Sequence, residues 1–238
     1  SLKILDQRFF LLKSKKIIFK QINAQDFKAL NKFVNEFKPK VVIHLAAQAG
    51  VRYSIDKPRV YLESNITGTF NVIEASHKFK VKHLIMASSS SVYGANKNIP
   101  FKEVDKTDTQ LSIYAATKKA TESLAHSYSN IWRIPITVLR FFTVYGPWGR
   151  PDMAIFKFTK NILNSNELEI YNSGNHYRDF TYIDDAVNMI TNLIKKIPSN
   201  VNSYDVFNIA SGKSIPLKLF INTIAKTLDK KIYIKKLG

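Results

Sequence analysis

The chain has 238 residues, is 45% hydrophobic and carries a net charge of +18 without a single cysteine. This length suffices to bury the core of one large or two modest domains. The lack of cysteine excludes disulfides and thiolate metal sites, and no apolar run reaches the roughly 18 residues that a membrane-spanning helix needs. Residues 1–20 mix lysines with apolar side chains and lack a small-residue cleavage pattern, so we expect a cytoplasmic enzyme without a signal peptide.

The positive charge is spread along the chain rather than gathered in one arm. Lysines recur at positions such as Lys28, Lys38 and Lys80, with no single basic stretch interleaved with aromatic residues. A field of this sign suits phosphorylated substrates, nucleic acid or acidic lipid. Its spread nevertheless favours a solvated basic surface, so we expect neither nucleic acid nor a membrane as partner. Scattered histidines and unclustered acidic residues predict no metal site.

Apolar runs alternate with helical patterns through the first part of the chain. Val41–Ala46 is a continuous apolar run interrupted only by His44, as expected for a parallel strand buried on both faces, with His44 as a hydrogen-bonded core residue. The patterns that follow alternate helix and strand, over Arg59–Phe79, His83–Ala87, Tyr114–Tyr128 and Pro135–Phe142. This βαβαβ order predicts an α/β fold with a doubly wound parallel sheet, in which ligands bind at the carboxyl ends of the strands.

The alternation of apolar runs and helical patterns changes after the turn Gly146–Gly149, which we take as a domain boundary. Residues 1–145 are predicted to form the doubly wound domain, and residues 146–238 a smaller mixed α/β domain with some segments returning to the first sheet. The predicted elements of the second part are helices at Met153–Asn164, Tyr182–Lys196 and Pro216–Leu228, and strands at Glu167–Tyr171 and Val206–Ile209.

One constellation points to acid/base chemistry. Tyr114 and Lys118 lie four residues apart on a predicted helix and therefore share a face, where the ammonium would favour the tyrosine phenolate. The serine run Ser88–Ser91 precedes them at the end of a predicted strand, so one loop would bring a hydroxyl and a phenol onto one reacting oxygen. The alternative is a surface tyrosine and lysine on an amphipathic helix.

Seven segments in order resemble the extended short-chain dehydrogenase/reductase family, and within it the nucleotide-sugar 4-epimerases. They are HLAAQAGVRYS (44–54), NITGT (65–69), SSSSVYG (88–94), YAATK (114–118), LRFFTVYGPWGRPDMA (139–154), RDFTYIDD (178–185) and FNIASGK (207–213). The first and fifth look most similar to UDP-glucuronate 4-epimerases. The resemblance implies a Rossmann-like fold, NAD as cofactor, a UDP-sugar substrate, and a homodimer formed through helices 59–79 and 114–128.

The resemblance also implies roles for individual residues. The catalytic residues would be Tyr114 as base, Lys118 and Ser89. The cofactor would contact Asn23, Ala24, Leu45, Ala46, Ala47, Gln48, Asn65, Ala87, Ser88, Tyr114, Lys118, Phe141 and Val144. The substrate would contact Arg52, Ser89, Ser90, Ser91, Tyr114, Thr143, Arg150 and Arg178. From the residues alone, Arg178 could instead pair with Asp179 or Asp184, and Arg52 could be a solvent-facing loop residue.

The chain departs from the family in places that keep alternatives open. Its earliest glycine is Gly50, so the N-terminal glycine-rich unit that would hold the NAD pyrophosphate is expected to be absent. Asn23 stands where relatives place an aspartate. A 4,6-dehydratase would carry an acidic pair where this chain has Ser90 and Ser91, whereas a uronate decarboxylase shares the first oxidation step. A nucleotide-sugar-binding protein without turnover is the alternative outside enzymes.

Overall fold

The computed structural model describes Gln7 and residues 17–171, 174–199, 201 and 203–237 of the chain. Most of the segment 1–20, inspected above for a signal peptide, lies outside the described residues. The helices are α1 (Phe27–Phe37), α2 (Val51–Asp56), α3 (Pro58–Tyr61), α4 (Gly68–Lys78), α5 (Ile113–Trp132), α6 (Ala154–Leu163), α7 (Ile183–Ile194) and α8 (Leu217–Leu228). The strands are β1 (Val41–His44), β2 (His83–Ser89), β3 (Ile136–Phe141), β4 (Thr143–Tyr145), β5 (Glu167–Tyr171), β6 (Tyr177–Tyr182), β7 (Tyr204–Ile209), β8 (Ser214–Pro216) and β9 (Tyr233–Leu237).

The main sheet has four parallel strands in the order β1-β2-β3-β7. Consecutive residues of β2 point to opposite faces, and both faces are covered. Leu84 and Met86 pack with residues of α4 and α5, whereas Ile85 packs with Ala186 of α7. The doubly wound parallel sheet predicted from the sequence is confirmed, because β2 and β3 are buried on both faces. The prediction that β1 is also buried on both faces is wrong, since β1 is an edge strand among the described residues and leaves Ile43 40% exposed.

A second hydrophobic core lies in the C-terminal part. It joins α6, β5 and α8 through Ile162, Leu168 and Ile221, all of which are buried. Strand β7 returns to the main sheet beside β3, while β6 pairs in parallel with β4 and antiparallel with β8. These short strands were not expected from the sequence, and the division at residue 145 stays a prediction.

The long helical pattern at 59–79 corresponds to three consecutive helical segments. Pro58 begins α3, a position where its missing N–H costs nothing. The chain then widens into a π-helical stretch, Leu62–Thr67, before α4 continues to Lys78. Such stretches are rare and often accompany functional sites. Here the stretch carries the fully buried Asn65, whose amide faces the loop after β1.

Candidate active site

The carboxyl ends of β1, β2 and β3 meet at one edge of the main sheet. The parallel register pairs His44 with Met86 and Ser89 with Phe141, so the segments that leave these strands are neighbours. Helix α5 begins at the same edge, where Ser112 caps it by accepting a hydrogen bond from the Ala115 amide at 3.1 Å. This edge therefore gathers the tyrosine helix and the serine run, as the sequence predicted.

Tyr114 lies in the first turn of α5, where its hydroxyl is near enough to Ser89 for that residue to favour the phenolate. Burial raises the pKa of Tyr114, while Ser89 and the charge of Arg150 act to lower it. The edge of the Tyr114 ring meets the buried Tyr61 ring, with 6.1 Å between centroids. The predicted pairing of one hydroxyl and one phenol is therefore present.

Lys118 lies one helical turn further along α5 and is almost fully buried. Its Nζ donates a hydrogen bond to the carbonyl oxygen of Ala87 at 2.8 Å. Burial lowers the pKa of Lys118 to about 8, and the carboxylate of Glu122 opposes that shift. Burial is the largest influence on the pKa of Tyr114, and Arg150 is a cation that acts on it, so the predicted effect of Lys118 on Tyr114 stays a prediction.

The other serines form a turn that faces a cavity of about 780 Å³. Ser89 Oγ accepts from the Ser91 amide and donates to the Ser91 hydroxyl, both at 3.2 Å. Ser90 and Ser91 line this cavity together with Thr143 and Arg178. The hydroxyls of Ser90, Ser91 and Thr143 and the guanidinium of Arg178 therefore share its wall, which also includes Asp179.

A second cavity, of about 900 Å³, lies beside the loop that follows β1. Its wall includes all three arginines predicted to bind substrate, Arg52, Arg150 and Arg178, and it shares Thr143 and Arg178 with the first cavity. Guanidinium groups suit the phosphate and carboxylate groups of an anionic ligand. The sequence placed these arginines in one site although they are up to 126 residues apart.

The three arginines differ in how they are held. Arg150 forms an ion pair with Asp152 across an exposed turn, which holds the pKa of Asp152 below its usual value. Arg178 donates to the carbonyl oxygen of Tyr177 at 2.8 Å. Its suggested pairing with Asp179 is not found within the described part of the chain, because Asp179 accepts from the amides of Ser211 and Lys213.

The loop after β1 offers small and exposed groups. Leu45, Ala46 and Ala47 are exposed once the strand ends at His44, two residues earlier than predicted. Asn65 holds Gln48, the residue that follows Ala47 in this loop. The side-chain oxygen of Asn65 accepts from the Gln48 amide at 2.8 Å, and its side-chain amide donates to the Gln48 carbonyl at 3.0 Å. This loop therefore fits the predicted approach of a cofactor to the backbone.

Gly50 makes the turn that follows this loop possible. Its φ of 112° is rarely adopted by residues with a side chain, and a Cβ would lie 3.5 Å from the Tyr61 hydroxyl. That hydroxyl donates to the Gly50 carbonyl at 2.6 Å. The buried tyrosine thus ties the loop to the helical segment.

Several predicted cofactor contacts have other partners. Asn23 Oδ1 accepts from the Gln25 amide and its Nδ2 donates to the Gln25 side chain, so its amide closes a local turn. Ala24 is held by Asn71, which donates to its carbonyl at 2.9 Å. Phe141 and Val144 pack into the core against α7. Phe141 of β3 and Val144 of β4 are partly buried in this core, and their contact with a cofactor stays a prediction.

Ser88 also has a partner that was not predicted. Its hydroxyl donates to the Glu122 carboxylate, and both groups are buried. Glu122 forms two hydrogen bonds with Arg140, at 2.9 and 3.0 Å. Sequence reasoning missed this pair, although Glu122 continues the four-residue spacing from Tyr114 through Lys118, and Arg140 interrupts an apolar strand.

The chain matches the model of the NAD dependent epimerase/dehydratase family over residues 5–210. This chain belongs to the NAD-dependent epimerase/dehydratase family. It is 44% identical to the probable UDP-glucuronate 4-epimerase of Rhizobium meliloti over 229 residues, covering 89% of this chain and 67% of the relative. It is 44% identical to the UDP-glucuronate 4-epimerase of Thermodesulfobacterium geofontis over 222 residues, covering 93% and 66%.

A solved structure gives the same picture for the fold. The UDP-glucuronic acid 4-epimerase from Bacillus cereus, in complex with UDP-glucuronic acid and NAD, superposes with a TM-score of 0.91 at 32% identity. The match covers 100% of this chain and 74% of that protein. The Rossmann-like fold and the extended short-chain dehydrogenase/reductase family expected from the motifs are therefore confirmed. The chain spans about two thirds of the length of such relatives.

No helix in the described part of the chain is long and apolar enough to cross a membrane. Within those same residues, no group of three or more His, Cys, Asp or Glu side chains is arranged to hold a metal ion. The buried histidines have local partners instead. His44 Nε2 lies 3.0 Å from Thr69 Oγ1, and burial lowers the pKa of His44 to about 4. It is the hydrogen-bonded core histidine that the sequence predicted.

Proposed function

We propose that this protein is an NAD-dependent nucleotide-sugar 4-epimerase that interconverts UDP-glucuronate and UDP-galacturonate through a transient 4-keto sugar. The observation that carries the proposal is that Tyr114 and Ser89 lie together beside cavities lined by Arg52, Arg150 and Arg178. The relatives described above carry the same activity in their names, and the solved neighbour holds both ligands.

The residues of this chain fit the nicotinamide half of NAD. The exposed, small side chains of Ala46 and Ala47 leave backbone open at the end of β1, and Lys118 and Tyr114 lie at the end of β2. When bound there, NAD supplies a reversible acceptor for the hydride at C4 of the sugar.

Tyr114 is the proposed base for the sugar 4-hydroxyl. The nearby Ser89 and the charge of Arg150 both favour the phenolate, which is the form that accepts the proton. Ser89 would hold the same sugar oxygen while the proton moves. After the keto sugar rotates, Tyr114 returns the proton, so the protein ends the cycle unchanged.

The substrate carboxylate has to be kept out of alignment with the 4-keto group, because a β-keto acid readily loses carbon dioxide. Ser90, Ser91 and Thr143 line one wall and offer neutral hydroxyls for this task. Arg52, Arg150 and Arg178 would contact the diphosphate or the carboxylate from the second cavity. A 4,6-dehydratase would need acidic groups at the serine turn, which speaks against that alternative.

We also propose a homodimer and a cytoplasmic location. The segment 58–78 and α5 pack side by side and leave Leu62, Ile131 and Trp132 exposed. Light scattering after gel filtration measures the mass of the assembly directly. A monomer at micromolar concentration would reject the dimer without affecting the proposed reaction.

The test of the proposed reaction is incubation with UDP-glucuronate followed by NMR of the anomeric protons. UDP-galacturonate at constant total uronate supports epimerisation. A UDP-pentose would identify a decarboxylase instead. If no UDP-sugar reacts after NAD is added, although UDP-glucuronate binds, the protein is a nucleotide-sugar-binding protein and the proposal fails.

A further inference from the structure

A row of polar residues crosses the otherwise apolar centre of the main sheet. Ser88 of β2 is the register partner of Arg140 in β3, and Arg140 is the register partner of Asn208 in β7. Glu122 of α5 joins the first two by accepting from both. Tyr93 joins the last two, since Arg140 donates to its hydroxyl at 3.1 Å and that hydroxyl donates to Asn208 at 2.7 Å.

Helix α5 touches consecutive residues at the end of β2 through side chains one turn apart. Tyr114 lies beside Ser89, and Lys118 donates to the Ala87 carbonyl. Glu122 accepts from the hydroxyl of Ser88, which lies between them. Four-residue spacing on a helix places all three side chains on one face. The carboxylate is therefore the third contact that sets how this helix lies against the strand end.

The burial of Glu122 is costly and calls for a reason. Its exposed fraction is 3% and that of Arg140 is 4%. Buried ion pairs of this kind are often replaced by apolar residues without loss of stability, so stability alone does not account for the pair. Its position beside Lys118, which is buried with only the Ala87 carbonyl as hydrogen-bond partner among the described residues, suggests an electrostatic role.

We propose that Glu122 is a positioning residue of the active site, which acts through Lys118 by keeping its ammonium charged and fixed against Ala87. The proposal deepens the proposed function, on which its catalytic consequences rest. Arg140 and Ser88 in turn hold the carboxylate in place, so that the charge needed by Lys118 comes from a group that substrate does not touch.

The titratable groups that act on Lys118 are His44 and Glu122, and Arg140 is the partner of Glu122. From β1, His44 is neutral near pH 7, because its own burial and the charge of Lys118 lower its pKa to about 4. From α5, Glu122 supplies the negative charge that opposes burial of the ammonium. From β3, Arg140 is cationic and paired with Glu122. Glu122 is thus the carboxylate that favours the charged lysine.

The kinetic expectation concerns Glu122→Gln, which keeps an oxygen for Ser88 but removes the charge. The kcat is expected to fall at least tenfold while KM for UDP-glucuronate stays within about twofold. The alkaline limb of kcat/KM moves to lower pH, because Lys118 loses its proton more easily. Glu122→Asp, which keeps the charge but shortens the reach, retains the wild-type alkaline limb.

Tyr204→Phe is the matched control. It removes a hydroxyl that donates to the Glu122 carbonyl oxygen at 3.3 Å and leaves the carboxylate intact. A purely structural disturbance of this part of α5 would affect both variants alike. We expect the alkaline limb to move in Glu122→Gln only, and an equal shift in Tyr204→Phe would overturn the electrostatic role.

The deciding experiment does not depend on catalysis. Denaturant unfolding of the wild type, Lys118→Met, Glu122→Gln and the double variant gives the coupling between the two residues. At pH 6.5, where Lys118 is charged, the coupling is expected to change the unfolding constant by at least about fivefold. At pH 9.5, where Lys118 is neutral, it should fall below about twofold.

A coupling below twofold at pH 6.5, or one that is the same at both pH values, overturns the proposal. If Glu122→Gln does not fold because Arg140 is left unpaired, the cycle is built with Arg140→Gln added to both Glu122→Gln proteins. The same pH dependence is then required. A wild type without epimerase activity would reject the proposed function, while the unfolding cycle would still decide the link between Glu122 and Lys118.

Discussion

The two ion pairs near the candidate site lie in opposite environments. Arg140 of β3 and Glu122 of α5 are both buried. Each guanidinium nitrogen and each carboxylate oxygen of this pair has a hydrogen-bond partner. Arg150 and Asp152 lie on a turn with 42% and 58% of their side chains exposed. We expect the buried pair to hold the proposed acid/base residues in place and the exposed pair to open when an anionic substrate enters. The difference would then separate the parts of the proposed site that stay fixed from those that adapt.

The largest effect is expected from Tyr114→Phe. It removes the proposed base without changing the shape of the ring, so kcat should fall by about 10³-fold. NAD content and the unfolding midpoint are expected to stay at wild-type values, as measured by absorbance after denaturation and by thermal melting. Activity within tenfold of the wild type would show that another group takes the proton.

Arg140→Met breaks the buried ion pair with Glu122. It leaves the buried Glu122 without its counter-charge, so the free energy of unfolding should fall by about 3–5 kcal/mol. Urea denaturation measures this loss. The double variant Arg140→Met/Glu122→Leu is the control, and it should recover most of the stability because no charge is left buried. A single variant as stable as the wild type would contradict the assignment of Arg140 as a fixed partner.

His44 of β1 makes the stability of the protein sensitive to acid. The pKa of His44 is about 4 in the folded protein against 6.5 in the unfolded chain. The unfolded chain therefore binds the proton more tightly, so stability is full above pH 6.5 and declines as the pH falls towards 4. The loss should approach about 3 kcal/mol. Unfolding of His44→Asn across this range should lack that slope, and an unchanged slope would assign it to other groups.

Arg150→Met removes the exposed ion pair with Asp152 and should have the smallest effect on stability. Exposed ion pairs contribute about 1 kcal/mol or less, so the unfolding midpoint should barely move. The KM for UDP-glucuronate should rise about tenfold, because a guanidinium that contacts the substrate is lost. Initial rates and melting curves decide the matter. A large loss of stability with unchanged KM would make Arg150 a structural residue.

Much of the main sheet and of helix α5 was predictable from the sequence. Apolar runs specified β1, β2, β3 and β7, and the four-residue spacing placed Tyr114 and Lys118 on one face of α5. Motif resemblance brought Arg52, Arg150 and Arg178 to one site, which no periodicity could do. The short strands β4, β6 and β8 escaped prediction because three to six residues carry little periodic signal and pair with partners distant in sequence.

Some contacts at the site could not be predicted, for physical reasons. The sequence does not reveal which face of β3 and β4 a residue occupies, so the packing of Phe141 and Val144 against α7 was not predicted. The bond of Ser88 to Glu122 was missed because the two residues lie 34 positions apart in the sequence. The charge relation between Lys118 and Tyr114 depended on burial, which spacing alone does not give.

Hydride removal and return at C4 is the central claim, and isotope tracing tests it most directly. UDP-glucuronate carrying deuterium at C4 is incubated with the protein and NAD, and the product is analysed by NMR and mass spectrometry. We expect UDP-galacturonate that keeps its deuterium at C4, because the hydride leaves and returns within one bound complex. Loss of the label to solvent, a UDP-pentose, or no conversion would contradict it.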